Sequence, residues 1–161
     1  MNRILNVTVL TLTAFVLLGT VSVMAIERPF ALNAKGIATF TTDGSGNPIS
    51  AHVSSSGTAT HLGLVTTVGT INFSPDPANP GRLLTSGSAT MTAANGDTVQ
   101  LELNGALVPT PDSATATDKF VFRFVGGTGR FAGAHGTGNG IVVVNLLTGA
   151  FEITVIGDIH F

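Results

Sequence analysis

Segments in which apolar and polar residues alternate recur along this chain, and short turn signals separate them. The clearest is the last, where Phe151, Ile153, Val155, Ile159 and Phe161 share one face. Successive side chains of a β-strand point to opposite sides, so a period of two indicates a strand with one buried face. Several such strands at short intervals are typical of an all-β sandwich or barrel.

The same pattern predicts about eight strands in total. They lie at 29–42, 48–56, 58–73, 86–94, 97–104, 119–125, 139–147 and 151–161. In the sixth, Phe120, Phe122 and Phe124 fall on one face. Asn95-Gly96 predicts a type I′ hairpin that pairs the fourth strand with the fifth, because both central residues of such a turn need positive φ. Thr148-Gly149 predicts a turn before the last strand.

Two segments interrupt the strand pattern. Residues 74–81 contain three prolines, which cannot donate strand hydrogen bonds, so we expect an exposed loop there. Residues 109–118 contain Pro109, Pro111 and small polar residues, and they predict a second loop. Both are interpreted as plain connections between strands, and a mobile lid over a site is the alternative for either.

A glycine-rich run at 126–140, GGTGRFAGAHGTGNG, is the most distinctive stretch. Gly127, Gly129 and Ala132 match the dinucleotide-binding pattern G-x-G-x-x-G/A, but that motif requires a helix that presents its N-terminal amides to pyrophosphate. More glycine follows here, so we reject nucleotide binding. The run instead predicts a tight turn with bent strands, in which Phe131 fills the core.

The run Gly126-Gly127-Thr128-Gly129-Arg130-Phe131, followed by 132–136, resembles the strand-turn-strand of allene oxide cyclase and dirigent barrels. Thr60-His61-Leu62-Gly63 and the closing strand at 157–161 are similar to exported bacterial relatives of that barrel whose role is unassigned. The resemblance covers residues 29–161. The resemblance implies an eight-stranded antiparallel barrel with a central cavity. The plant members are often trimers, so the resemblance is also consistent with a homo-oligomer. Fold analogy does not carry the plant activities across.

The N-terminus has the order of a secretory signal peptide, with Arg3 before an apolar run from Val7 to Val23 and a small-residue site that ends at Ala25. A transmembrane anchor is the competing interpretation, but several Thr and Ser residues break the run and no basic flank follows it. We therefore expect residues 1–25 to be a signal peptide and 26–161 to be one barrel domain, secreted or periplasmic, without membrane insertion after cleavage.

Charge and cysteine content exclude several classes of function. Without the leader, six basic residues face nine acidic ones, which gives a net charge of −3. No basic field is present to bind nucleic acid. The chain has no cysteine, so neither disulfides nor thiol chemistry contribute to it.

Few residues indicate a chemical site. The four histidines lack metal-binding spacing, so no metal or other cofactor is expected. The strand alternation places the acids Glu102, Glu152 and Asp158 on the side opposite the apolar face. Arg130 could orient an anionic head group at a barrel mouth. His61 and His135, both beside glycines, join it as candidate ligand-binding residues, although structural turn roles are the alternative for all three. No catalytic residue is predicted.

Three functions remain open. The first is a non-catalytic exported barrel that binds a small apolar ligand or acts as an interaction module. The second is a cyclase or isomerase of the allene oxide cyclase type, acting in an apolar cavity. The third is a small outer-membrane barrel, suggested by the terminal Phe161 and disfavoured because the chain contains no Trp or Tyr for aromatic girdles.

Overall fold

The computed structural model describes residues 27–111 and 114–161, and in these ranges eight strands form a closed antiparallel barrel. Each strand pairs with its neighbours in sequence, and the first also pairs with the last. In chain order the strands are β1 Arg28–Thr42, β2 Pro48–Ala59, β3 Gly63–Pro75, β4 Leu83–Ala93, β5 Thr98–Pro109, β6 Thr115–Gly127, β7 Gly136–Asn145 and β8 Ala150–Ile159. The expected all-β class and eight-stranded antiparallel barrel are therefore confirmed. The signal-peptide interpretation concerns residues 1–25, which lie outside the described ranges.

Alternating side chains fill the barrel from all of its strands. Phe151 and Val155 of β8 are buried and Ile153 is half-buried, whereas Ile156 points outwards and is 62% exposed. Phe120, Phe122 and Phe124 of β6 are buried in the same way. Because closure leaves no sheet edge, every strand shares its backbone hydrogen bonds with two neighbours.

The hairpin between β4 and β5 is confirmed, but its predicted turn type is wrong. Gly96 has a φ of +88°, while Asn95 is not among the residues with positive φ. The Gly96 N–H donates to the Ala93 carbonyl at 2.9 Å, which centres the turn on Ala94 and Asn95. One glycine in the left-handed region is enough here, because a type I turn followed by such a residue also joins antiparallel strands.

The two predicted loops are shorter than expected. Pro75 still pairs with Leu83, so the first connection spans only residues 76–82. Strand β5 continues to Pro109 and β6 begins at Thr115, so residues 115–118 belong to a strand. A proline at the end of a strand removes only one ladder donor, and the hydrogen bonds of the neighbouring residues maintain the pairing.

The glycine-rich run forms the turn between β6 and β7, as predicted. A single 3-10 turn occupies Gly129–Phe131, and Phe131 is fully buried. The β5–β6 register shifts beside Gly126, which has a φ of +139°, so the strand bends there. No helix in the described residues is long and apolar enough to cross a membrane.

One end of the barrel, here named the closed end, is packed shut. It carries the connections at 60–62, 94–97 and 128–135 together with the last residues of the chain. Beneath them Phe131, Met91, Val99 and Ile159 are all fully buried. The Phe131 and Phe161 rings meet edge to face, with centroids 4.8 Å apart. Large buried side chains thus fill this end of the barrel.

Candidate functional site

A cavity of about 110 Å³ occupies the barrel interior beyond the closed end. Its walls are inward-facing side chains from all eight strands, nearly all of them apolar. They are Phe30, Leu32, Ala38, Phe40, Ala51, Val53, Ser55, Thr67, Ile71, Phe73, Ala89, Met91, Leu101, Leu103, Leu107, Asp118, Phe120, Phe122, Val142, Val144, Phe151, Ile153 and Val155. An apolar concave space with few polar groups is the usual form of a small-molecule site.

The cavity extends towards the end opposite the closed one, here named the open end. Phe40 and Phe73 line it close to the last residues of β1 and β3, and both are only half-buried. Their rings lie 5.9 Å apart between centroids. Connections at 43–47, 76–82, 110–114 and 146–149 surround this end. A molecule that enters the cavity from this end would pass these two rings.

Asp118 places a carboxyl group in the apolar wall. It lies on β6, two residues before Phe120 on the inward face, and only 8% of it is exposed. Thr85, itself buried, donates its hydroxyl to Asp118 Oδ1 at 3.2 Å, and the Ala106 backbone N–H also hydrogen bonds to the carboxylate. Burial raises the pKa of Asp118 above its ordinary value, and these two hydrogen bonds oppose that change.

Gly105 makes room for this carboxyl group. A Cβ atom at that position would lie 2.7 Å from Asp118 Oδ1 and 2.5 Å from Phe120 Cβ. Both distances are shorter than a normal van der Waals contact, so the missing side chain allows Asp118 to sit on the inner wall. The local sequence of β5 thus helps to position a residue of β6.

Ser55 and Thr67 form a second polar position on the wall. They are direct register partners on β2 and β3, and both line the cavity. Strand β2 is four strands from β6 in either direction around the barrel, so this pair lies across the cavity from Asp118. The Thr67 hydroxyl oxygen is buried and has no hydrogen-bond partner among the described residues. A buried hydroxyl without a partner is costly, by about 1–3 kcal/mol.

His61 and Arg130, two predicted ligand-binding residues, meet on the outside of the closed end. His61 has a φ of +66°, and its Nε2 lies 3.0 Å from the Pro29 carbonyl oxygen. Arg130 Nη2 donates to the His61 carbonyl oxygen, and the guanidinium lies 4.7 Å from the centroid of the Phe131 ring. These contacts tie the 60–62 connection to the glycine-rich turn.

His135, the third predicted residue, lies at the same end against the last strand. Its ring stacks on that of His160, with centroids 4.8 Å apart and planes 10° from parallel. Backbone hydrogen bonds join the same two residues in both directions. Among the described residues, the cavity wall includes none of His61, Arg130 and His135. Their role in ligand binding stays a prediction, now for a surface outside the cavity.

The predicted outward direction is confirmed for Glu102 and Glu152. Glu152 pairs with Lys35 at 2.5 Å and Glu102 with Arg123 at 2.6 Å, both on the outer wall. Asp118 was not predicted as a site residue because it lies within the predicted 109–118 loop. Extending the alternation of Phe120, Phe122 and Phe124 backwards by one step would have placed it on the inner face.

Within residues 27–111 and 114–161, no group of three His, Asp or Glu side chains is arranged to hold a metal ion. Comparisons with family models, with curated proteins and with solved structures found no match to this chain.

Proposed function

We propose that this protein binds a small, mainly apolar molecule inside its barrel. The observation that carries the proposal is a cavity of about 110 Å³ whose wall is apolar except for Ser55, Thr67 and Asp118. Each Å² of apolar surface that ligand and wall bury on binding contributes roughly 25 cal/mol to the binding free energy, before the costs of association are subtracted. Eight-stranded barrels can enclose one small ligand in this way.

The volume limits the size of the ligand. Cavities of roughly 150 Å³ lined by Leu, Ile and Phe admit molecules the size of benzene. A single ring or a short branched chain suits the enclosed part of this cavity. A longer ligand would extend past Phe40 and Phe73 at the open end, where these two residues are half-buried.

Native mass spectrometry of the protein, recovered from its producing cells without detergent, tests the proposal. We expect a reproducible bound mass that is lost from Ala89→Leu, because Ala89 lines the cavity and a larger side chain there would occupy it. Ser88→Leu is the matched control, since the adjacent Ser88 is exposed on the outer face of the same strand. An empty wild-type barrel that also fails to bind added toluene would overturn the proposal and favour an interaction module that uses its outer surface.

A cyclase or isomerase is the second candidate, and the buried Asp118 carboxyl favours it. A carboxyl group with a raised pKa in an apolar wall can exchange a proton with a bound substrate. Such an activity would convert the co-purified compound into an isomer of equal mass, visible as a new chromatographic peak. Asp118→Asn should abolish that conversion but retain binding, whereas unchanged conversion in this variant would exclude Asp118 as the acid or base.

We also propose that the chain is exported, with a signal peptide at 1–25, and that it is a member of the allene oxide cyclase and dirigent barrel superfamily. The residue order around Arg3, Val7 to Val23 and Ala25 supports export. A closed eight-stranded barrel with the glycine-rich run between β6 and β7 is compatible with the superfamily. N-terminal sequencing of the recovered protein tests export, since cleavage after Ala25 makes Ile26 the first residue.

A further inference from the structure

The charge of the cavity wall restricts what can bind there. Of the described residues that line it, Asp118 alone is ionisable, and none is Lys, Arg or His. A carboxylate ligand would bring a second negative charge close to Asp118 in an apolar environment, where charge repulsion is strong. The wall therefore disfavours acids such as fatty acids and admits neutral or cationic molecules.

The groups around Asp118 orient its carboxylate so that it can accept hydrogen bonds from a cation. Thr85 and the Ala106 amide both donate to it and fix its orientation. No cationic side chain of the described residues forms an ion pair with it. A buried carboxylate is costly unless a positive group pairs with it. A protonated amine would supply both that charge and further hydrogen-bond donors.

Phenylalanine rings provide the second component of an ammonium site. Phe120 follows Asp118 by two residues on the inner face, and Phe40, Phe73 and Phe151 belong to the same wall. Aromatic faces attract ammonium groups electrostatically, and this attraction grows when water is excluded. The rings also offer the apolar surface that the hydrocarbon part of an amine requires.

We propose that the ligand is a small lipophilic amine in its protonated form, whose ammonium group pairs with Asp118 while its hydrocarbon part lies among the phenylalanine rings. This inference rests on the proposed binding function and narrows its ligand class. Neutral alcohols of the same shape would bind more weakly, since they lack the charge, and carboxylates would be the weakest.

Three probes with the same ring test the inference: benzylamine, benzyl alcohol and benzoate, measured by calorimetric or NMR titration at pH 7. We expect benzylamine to bind the wild-type protein at least tenfold more tightly than benzyl alcohol, a difference of about 1.4 kcal/mol. Asp118→Asn should remove this preference. Glu152→Gln is the control for non-specific attraction, because it deletes an exposed carboxylate of the outer wall and should retain the preference.

The outcomes separate the two proposals. If benzyl alcohol binds as tightly as benzylamine, or if Asp118→Asn retains the amine preference, the amine inference is wrong and the binding function stands. If none of the three probes binds, the proposed function itself is wrong. Lowering the pH provides a further check: benzylamine affinity should fall as Asp118 gains its proton, while benzyl alcohol affinity stays constant.

Discussion

The two ends of the barrel follow the same binary pattern but differ in how they are filled. At the closed end the side chains of Val99, Phe131 and Ile159 are fully buried, and none of them lines the cavity. Around the cavity, inward positions also hold small residues, such as Ala51 on β2 and Ala89 on β4. Alternation therefore determines which side chains point inwards, and side-chain volume determines whether a space remains. The largest fully buried side chain, Phe131, lies at one end, and the proposed binding site extends towards the other.

The largest expected effect comes from emptying the closed end. Phe131→Ala removes a fully buried ring that contacts Phe161, and it should lower the free energy of unfolding by about 3–5 kcal/mol. Phe73→Ala is the matched truncation at the open end, where the ring is half-buried, and it should cost less. Urea unfolding of both variants provides the comparison. Equal losses would show that the two ends are packed alike.

A smaller effect on stability is expected at a glycine that packs against a ring of the cavity wall. A Cβ atom at Gly140 would overlap the Phe120 ring, so Gly140→Ala should reduce stability by about 1–3 kcal/mol. At Gly44 a Cβ atom would meet nothing within 4 Å, so Gly44→Ala should stay within about 0.5 kcal/mol of the wild type. Thermal unfolding distinguishes them. A neutral Gly140→Ala would mean that the Phe120 ring moves freely and that the cavity has no fixed shape.

The smallest expected effect is a pH dependence of the stability that arises from Asp118 in the cavity wall. Because burial raises the pKa of Asp118, the folded protein holds this proton more tightly than the unfolded chain does. The resulting stabilisation is present below the unfolded pKa of about 3.9 and is lost as pH rises through the folded pKa. The stability of Asp118→Asn relative to wild type should therefore increase between pH 4 and pH 7. All other carboxyl groups are present in both proteins, so the difference between their urea midpoints at the two pH values reports the contribution of Asp118. A difference that stays constant between pH 4 and pH 7 would contradict the desolvation of Asp118.

Much of this architecture could be predicted from the sequence because each strand carries its own pattern. Alternation identified the inward faces of β6 and β8, and the position of Phe131 between small residues identified it as a core residue. Asp118 was missed because prolines and small polar residues nearby resemble a loop, whereas pairing with β5 and β7 extends the strand through them. Long-range pairing outweighed the local signal there.

The position of the predicted site residues depended on topology and packing together. In an antiparallel barrel alternate connections lie at the same end, which brings the connections that carry His61, Arg130 and His135 together. Which end is filled depends on side chains from several strands that meet only in the folded protein, among them Met91, Val99 and Ile159. The sequence pattern of a single strand does not contain that information.

Methyl NMR during titration with toluene shows where a small apolar molecule enters the protein, and it therefore tests whether the barrel cavity binds a ligand. We expect saturable shifts for the cavity-lining methyls of Val53, Val142 and Ile153, with much smaller shifts for Val99 and Ile159 at the closed end. Shifts confined to outward-facing methyls such as those of Val68 and Ile156, or no saturable shifts at all, would contradict a ligand-binding cavity in this barrel.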